Sequence, residues 1–401
     1  MTSIALFRKE KEKKNVSHIW DAFSHEFKVF RVDSAKPASG PVGQPNKQDN
    51  CAAQLVWILK KEQSKRRYGY GASLWNSMRS RLYMMNPNRS IKVYAKQIQH
   101  LRQRLESTNA DISACWCPLK YPNLIFRLAT TQIQKPLLHF EHAPFPGFFV
   151  ADTEGVNMGN SISRDYQDYK LQKSDGDEAI EVFKSSIEER TPQKKAIASR
   201  MQIRSEENVE ENFIYCPLQV DEDTQLVNYG GWCNTVSRFI ENIYTASRFL
   251  PAKWSVLIRE HPSSRRSYTQ KLLNLADSKF CLDNTGSSLE KVKQCRAIAT
   301  INSSVGLHGF LFDKSVITLG RAMWSFGDMT TEARCPVHLS ELFANPDVLS
   351  YSNQQRHAFL NYLFENEFLP RPKLINGSAR LCPKAKSILQ RKVTEAKNLA
   401  P

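Results

Sequence analysis

Ala297-Ile298-Ala299-Thr300-Ile301 runs without a break into Asn302-Ser303-Ser304-Val305-Gly306, and a second short apolar run, Val316-Ile317-Thr318-Leu319, follows it. The first run is short, apolar and rich in isoleucine, as a buried strand requires. The hydroxyl pair behind it marks the start of a helix over Val305 to Phe312, because a serine oxygen can cap the first unpaired N–H groups. Upstream, strand-like runs cover Phe213 to Leu218, Trp254 to Ile258 and Phe280-Cys281-Leu282. Val236, Phe239, Ile240, Ile243, Tyr244 and Ser247 share one helical face, and helices are expected over Ser267 to Ala276 and Ser288 to Gln294. Strands alternating with helices at this spacing predict a parallel sheet covered on both faces.

The 401-residue chain is 41% hydrophobic and 24% charged, which excludes a disordered tail, a collagen repeat or a disulfide mini-scaffold. Its length predicts two domains. Residues 1–172 form an N-terminal, acceptor-side Rossmann-like domain, punctuated by loops at Pro37 to Pro45 and Pro144-Phe145-Pro146-Gly147. Residues 173–211 are polar and acidic and read as an exposed helical connector. Residues 212–401 form the C-terminal, donor-binding Rossmann-like domain. No apolar run approaches the ~18 residues of a membrane span. Ile4-Ala5-Leu6-Phe7 gives way to Arg8-Lys9-Glu10-Lys11, so a signal-peptide pattern is lacking. Nine scattered cysteines without a CxxC pair read as reduced thiols of a cytoplasmic protein; Cys115-Trp116-Cys117 is too tight a pair to suggest zinc.

The formal charge of +16 is concentrated. Between Lys60 and Arg104, twelve basic residues face one acid, Glu62, with Tyr68, Tyr70, Trp75, Tyr83 and Tyr94 interleaved. Such a stretch suits phospholipid headgroups or an anionic glycan, and peripheral contact with the inner-membrane face is expected there; nucleic acid is not the expected partner. The competing reading is a solvated helix face, because Ile91, Tyr94, Ile98, Leu101 and Leu105 form an apolar stripe on the other side.

In an open parallel sheet, ligands sit at the carboxyl ends of the strands. Two strand ends carry suitable groups. Val256-Leu257-Ile258 leads into Arg259-Glu260-His261-Pro262, where Pro262 biases His261 towards extended backbone and Arg259 adds a cation. The other end offers Ser303, Ser304 and Gly306 at a helix start, an anion site that needs no metal. His308 on that helix is either a packing residue or a ligand contact. Each motif alone is common; the two on successive strand ends of one sheet are specific. Asp221-Glu222-Asp223 formally matches a DxD metal signature, but three acids in a surface loop are ordinary.

These segments together resemble a known family. The run Asn302-Ser303-Ser304-Val305-Gly306-Leu307-His308-Gly309-Phe310-Leu311-Phe312-Asp313-Lys314-Ser315-Val316-Ile317-Thr318-Leu319-Gly320-Arg321-Ala322 is similar to the hydroxyl-rich turn, apolar helix and glycine-ended strand of capsule polysaccharide synthesis proteins. His261-Pro262, the strand Tyr215 to Val220, Phe140 to Gly147 and Asp152 to Asn157 fit the same group, which most resembles the retaining β-Kdo transferases of the KpsC, KpsS and WbbB type. The resemblance implies a glycosyltransferase-B fold, two Rossmann-like domains facing across a cleft. It also implies a CMP-β-Kdo donor, no metal or other cofactor, a lipid-linked surface-glycan acceptor, and retention by double displacement. On it, Arg259, His261, Pro262, Ser303, Ser304, Gly306 and His308 bind the donor. Glu141 and Glu154, in first-domain loops, are the acid/base candidates. The family's nucleophilic aspartate aligns with Cys233, so three readings stand: the nucleophile is Asp221 or Asp223, Cys233 is a structural thiol, or Cys233 replaces the aspartate as an engineered substitution. An inverting CMP-sugar transferase and a non-catalytic basic glycolipid- or nucleic-acid-binding protein are the alternatives.

Overall fold

The computed structural model describes residues 2–8, 14–33, 87–120, 122–170, 178–189, 202–206 and 209–399. They divide into two units: Met1–Ala143, Phe148–Ser161 and Glu367–Pro401 in the first, Pro144–Gly147 and Ile162–Asn366 in the second.

The first unit begins β1 (Ser3–Arg8), α1 (Lys14–Phe23), β2 (Lys28–Asp33), α2 (Pro87–Ser107), β3 (Ile112–Trp116), α3 (Asn123–Gln132), β4 (Leu137–His142) and β5 (Phe148–Asp152). Strands β4, β3, β1 and β2 lie in that order and run parallel, and β5 is antiparallel to β4. Alternate side chains of β1 serve opposite faces: Ile4 and Leu6 pack with α1, whereas Ala5 and Phe7 pack with α2 and α3. Ile98, Leu101 and Leu105 of the expected apolar stripe are buried on α2 and Tyr94 packs against their cluster, while the Ile91 side chain lies outside the described residues. Of the basic stretch, residues 60–86 lie outside the described residues; Arg102 and Arg104 on α2 bond to Gln132 Oε1 and the Asp33 carbonyl.

The second unit follows as α4 (Glu178–Glu188), β6 (Asn212–Pro217), α5 (Thr224–Tyr229), α6 (Val236–Ser247), β7 (Trp254–Arg259), α7 (Thr269–Leu275), β8 (Phe280–Leu282), α8 (Ser288–Gln294), β9 (Ala297–Thr300), α9 (Ser304–Phe310), β10 (Ser315–Thr318), β11 (Thr331–Glu332), α10 (Pro336–Ala344) and α11 (Asn353–Tyr362). Its six strands are all parallel, in the order β11-β10-β9-β6-β7-β8. Local chemistry sets the helix starts: Thr235 caps α6, and Ser287 with Glu290 forms a capping box on α8. The chain leaves β6 towards β7 on one side and later returns to β9 on the other. The β6–β9 boundary is therefore the topological switch point.

Two expectations about domain organisation need correction. The segment 173–211 is not simply an exposed connector, because α4 buries Ala179, Ile180, Phe183 and Ile187 in the second unit, with Phe183 stacked on Phe145. Nor does the donor-side unit run to residue 401. After Glu367 the chain adds β12 (Leu369–Pro370), antiparallel to β5, and α12 (Pro383–Asn398). Ala385, Ile388, Leu389, Val393 and Ala396 of α12 join Ile4, Leu6, Leu138 and Phe149 in the first unit's core. Burying an Ile, Leu or Val side chain is worth about 1.5–3 kcal/mol, so this apolar stripe decides where the helix docks.

Lys392 of α12 is almost wholly buried and pairs with the equally buried Glu367, Nζ to Oε2 2.9 Å. Removing Glu367 leaves the buried Lys392 ammonium only the more distant, exposed Glu395 carboxylate at 3.7 Å. Glu367→Ala should therefore lower unfolding free energy by about 3 kcal/mol, whereas a paired Glu367→Leu, Lys392→Met variant should recover most of that in urea titrations. A loss below about 1 kcal/mol for the single variant would contradict this view of the pair.

Candidate functional site

The carboxyl ends of the second unit's central strands are joined by two polar locks. Gln219, just past β6, donates through Nε2 to Asn302 Oδ1 at 2.9 Å, and its Oε1 accepts the Asn302 backbone N–H at 3.1 Å. Asn302, just past β9, donates through Nδ2 to the carbonyls of Gln225 (2.9 Å) and Arg321 (3.3 Å). Both side chains are buried. On the other side of β6, Asn284 beyond β8 and Glu260 beyond β7 are paired in the same reciprocal manner. The Glu260 backbone N–H donates to Asn284 Oδ1 and Asn284 Nδ2 donates to Glu260 Oε2, both at 2.9 Å. Glu260 also accepts the Tyr268 N–H at 2.7 Å and the Thr269 hydroxyl at 2.5 Å, which ties down the loop 260–269. Between the two locks, the Leu218 N–H donates to the Arg259 carbonyl at 2.8 Å. Strands β9, β6, β7 and β8 thus end in one continuous, satisfied network.

This network presents His261 and the serine pair. The strands that carry them, β7 and β9, are not neighbours in the sheet, because β6 lies between them. His261 Nδ1 accepts the Ser263 N–H at 3.0 Å, so a neutral ring carries its proton on Nε2 and is a donor there. Pro262 is exposed in the following turn. Ser303 caps α9, its Oγ accepting the Val305 N–H at 3.3 Å, which leaves the hydroxyl hydrogen as a donor. Ser304 is half-buried beside it. Thr300 Oγ1 accepts the Ser303 N–H, and the Ser303 carbonyl accepts the Gly306 N–H. Two of the N–H groups expected to meet a ligand are therefore used locally; the Ser304 N–H is in neither bond.

Other expected binding residues serve the fold. Arg259 is only 7% exposed, and its guanidinium donates to the carbonyls of Thr285 (2.6 Å) and Gly286 (2.7 Å), bracing the loop before α8. Gly306 is required by packing: a Cβ there would lie 2.3 Å from the Trp324 indole. His308 is buried, stacks on Phe145 and bonds through Nε2 to the Pro144 carbonyl at 3.1 Å. Its packing role is the one realised.

The nucleophile assignment of Cys233 is corrected. Its side chain has no exposed surface and lies in the core with Leu226, Val236 and Ile240. Burial pushes its thiol up to about 12, so it stays protonated and unreactive near neutrality. Of the two aspartates in the loop after β6, Asp223 is occupied as the N-cap of α5, accepting the Gln225 N–H at 3.0 Å. Asp221 Oδ1 accepts the Tyr268 hydroxyl at 2.5 Å, while Oδ2 is covered and has no hydrogen-bond partner. Burial, with the Asp221 carboxylate adding to it, holds the Tyr268 phenol well above its ordinary range, so it remains a donor. Among the described residues, no group of three or more His, Cys, Asp or Glu side chains is arranged to hold a metal ion.

In the first unit, Glu154 is exposed on a loop organised by Asp152. Buried Asp152 accepts the N–H groups of Glu154 (2.8 Å) and Gly155 (2.9 Å) and the Ser161 hydroxyl (2.7 Å). Gly155 cannot carry a side chain, because a Cβ would lie 2.3 Å from the Gly159 carbonyl oxygen. Glu141 is not in a loop as expected. It is the penultimate residue of β4, and its Oε1 accepts the His142 N–H at 2.9 Å. No helix among the described residues is long and apolar enough to cross a membrane.

Two Rossmann-like α/β units, one with a locked row of strand ends bearing hydroxyl and imidazole donors, define a two-domain Rossmann-like fold. Residues 156–366 match the model of the capsule polysaccharide biosynthesis protein family, and the chain belongs to that family. It is 25% identical over 271 residues to the protein FixF of Sinorhizobium fredii, covering 67% of this chain and 63% of that relative, so it spans less than two thirds of FixF's length. Among solved structures, it is similar to the β-Kdo 2,7 transferase KpsC of Thermosulfurimonas dismutans, with 12% identity, a TM-score of 0.46 and coverage of 97% of this chain and 99% of that one. It is also similar to S. aureus MnaA solved with UDP, with 12% identity, a TM-score of 0.40 and coverage of 100% and 98%.

Two outcomes test this site. Asn302→Ala strips hydrogen bonds from Gln219, Gln225 and Arg321 at once and should cost about 3 kcal/mol of stability in denaturant titrations; a neutral effect would remove the lock from the fold's essential contacts. Iodoacetamide at pH 8 should alkylate the exposed Cys335 and leave Cys233 unmodified in the folded chain. Stoichiometric labelling of Cys233 by peptide mass spectrometry would restore it as a reactive group.

Proposed function

We propose that this protein is a glycosyltransferase of surface-polysaccharide synthesis that moves Kdo from CMP-β-Kdo to a glycan acceptor with retention of the β configuration. Family membership supports the surface-polysaccharide setting. The observation that carries the transferase reading is the locked strand row of the second unit, which holds the His261 ring and the Ser303 and Ser304 hydroxyls at the ends of strands on either side of β6. These donors suit one tetrahedral phosphate. A CMP-sugar has a single phosphate as its leaving group, and fixed dipoles aimed at developing negative charge stabilise its departure.

Retention requires two inversions at the anomeric carbon. In the first, a carboxylate oxygen bonds to that carbon as its bond to the phosphate oxygen breaks. We assign this attack to Asp221, because Asp223 is held to the fold as the cap of α5, whereas Asp221 is oriented by the Tyr268 hydroxyl and keeps Oδ2 without a hydrogen bond; donor binding must uncover that oxygen. In the second, the acceptor hydroxyl displaces Asp221 and gives its proton to a base. Glu154, presented by the Asp152-organised loop, is the residue proposed for that role, with Glu141 the other candidate. The same reading places the protein on the cytoplasmic side, peripheral at the inner membrane, acting on a lipid-linked acceptor.

CMP should raise the unfolding midpoint in a nucleotide thermal-shift screen while UDP does not, and a Ser303→Ala, Ser304→Ala double variant should lose the response. Equal stabilisation by UDP would refute the donor assignment. Asp221→Asn should abolish turnover of CMP-Kdo with CMP binding intact, whereas Asp223→Ala, which removes the cap of α5, should cost about 1 kcal/mol of stability and keep activity. The reverse pattern would exchange their roles, and an inverted product anomer by NMR would replace double displacement with single displacement.

A further inference from the structure

Among the described residues, Arg259 and Arg356 are buried and spend their N–H groups on backbone carbonyls. Arg259 bonds to Thr285 and Gly286. Arg356 bonds to Met329 and Lys314 and sits over the rings of Phe310 and Tyr351. Arg371, in the first unit, is different. It follows β12 and reaches over β5 to the end of β4, where Nη2 donates to Nδ1 of His142 at 2.5 Å. Its Nη1 is shielded from solvent and has no hydrogen-bond partner, and no carboxylate among the described residues pairs with it. The loss of hydration is large enough to lower the guanidinium's pKa. A desolvated cation without a counter-charge is costly, and a fold that only needed packing here would use an apolar side chain.

The surroundings are those of a binding surface. His142 is exposed and meets Trp116, at the end of β3, edge to face at 4.8 Å. Glu141, which accepts the His142 N–H, precedes it on β4. Strands β3 and β4 are parallel neighbours, so Trp116, Glu141 and His142 lie together at their carboxyl ends, the edge where an α/β sheet receives ligands. Arginine recognises carboxylate and phosphate oxygens through directed, charge-assisted hydrogen bonds.

We infer that Arg371 and His142 form an oxyanion-binding site on the first unit, in which a carboxylate or phosphate group displaces the cover over Nη1 of Arg371 and takes its unused hydrogen bond. That this oxyanion belongs to an acidic acceptor glycan rests on the transferase reading; the site itself does not, and its residues all belong to the first unit. His142 fixes the guanidinium from one side, and Nη1 supplies the directed bond to the anion.

The test is thermal unfolding of the full chain with methyl β-glucuronide, with inorganic phosphate and with neutral methyl β-glucoside. The glucuronide or phosphate should raise the midpoint by about 2 °C near tenfold excess over its Kd, and the glucoside should not. A glucuronide response identifies a carboxylate ligand and a phosphate response identifies a phosphate ester. Arg371→Met should lose the response, retain the CMP response, and unfold at or above the midpoint of the parent chain, because it removes an uncompensated cation. Arg371→Lys, which keeps the charge without the planar fork, should retain a weakened response. An Arg371→Met variant that still responds like the parent, or that unfolds several degrees lower, would overturn the inference by making Arg371 a structural brace. Absence of any anion response in the parent chain would overturn it too. Ser303→Ala, Ser304→Ala leaves this response in place if the site is real, whatever becomes of CMP binding.

Discussion

The reciprocal pairing of Gln219 with Asn302 is the constraint on which the second unit's chemistry depends. Parallel strands end with backbone groups that the ladder no longer satisfies, and a ligand-binding edge must hold those ends still without covering them. Here a buried amide pair closes the β6–β9 boundary, and a carboxylate–amide pair does the same between β7 and β8. Because each lock uses both backbone and side-chain groups, neither strand end can shift without leaving buried polar atoms unpaired. His261 and Ser303 follow directly from these fixed points, so the fold holds their hydrogen-bonding groups in place.

Glycines and carbonyl-bound arginines extend this rigidity. Gly320 admits the close approach of Gly230 and the Tyr229 carbonyl, so the loop after α5 lies against the end of β10. The Arg321 N–H bonds to that same Tyr229 carbonyl, and the Arg321 carbonyl accepts from Asn302. The first unit uses a comparable device in Asp152, a buried carboxylate that gathers backbone N–H groups and a hydroxyl to shape the loop bearing Glu154. In both units a buried polar residue shapes the loop, and a neighbour in that loop carries the exposed chemistry.

The strands and helices of the second unit were legible because their apolar runs are short, bounded and regularly spaced; β7, β8 and β9 lie where Trp254 to Ile258, Phe280 to Leu282 and Ala297 to Ile301 place them. What periodicity cannot convey is the partner of an apolar stripe. The stripe on α12 is visible in the sequence, yet its docking onto Ile4 and Phe149 across more than half the chain is not. Acidic ends likewise disguised α4, whose Ile180 and Phe183 are core. The serine pair and His261 can be singled out from their positions after strands. Gln219, Asn302, Glu260 and Asn284 cannot, since polar residues past a strand look like any loop until their burial and mutual distances are known. Cys233 failed for the same reason: a thiol's role is set by its surroundings, and this one is buried in an apolar core.

The two units therefore contribute different chemistry: hydrogen-bond donors held by a satisfied network in one, and an incompletely satisfied guanidinium in the other. The most direct measurement of the central claim is a crystal structure of the chain with CMP bound. The phosphate is expected within hydrogen-bond distance of the Ser303 and Ser304 hydroxyls and of His261 Nε2, with the Gln219–Asn302 pair unmoved. A phosphate seated away from all three residues would contradict the claim.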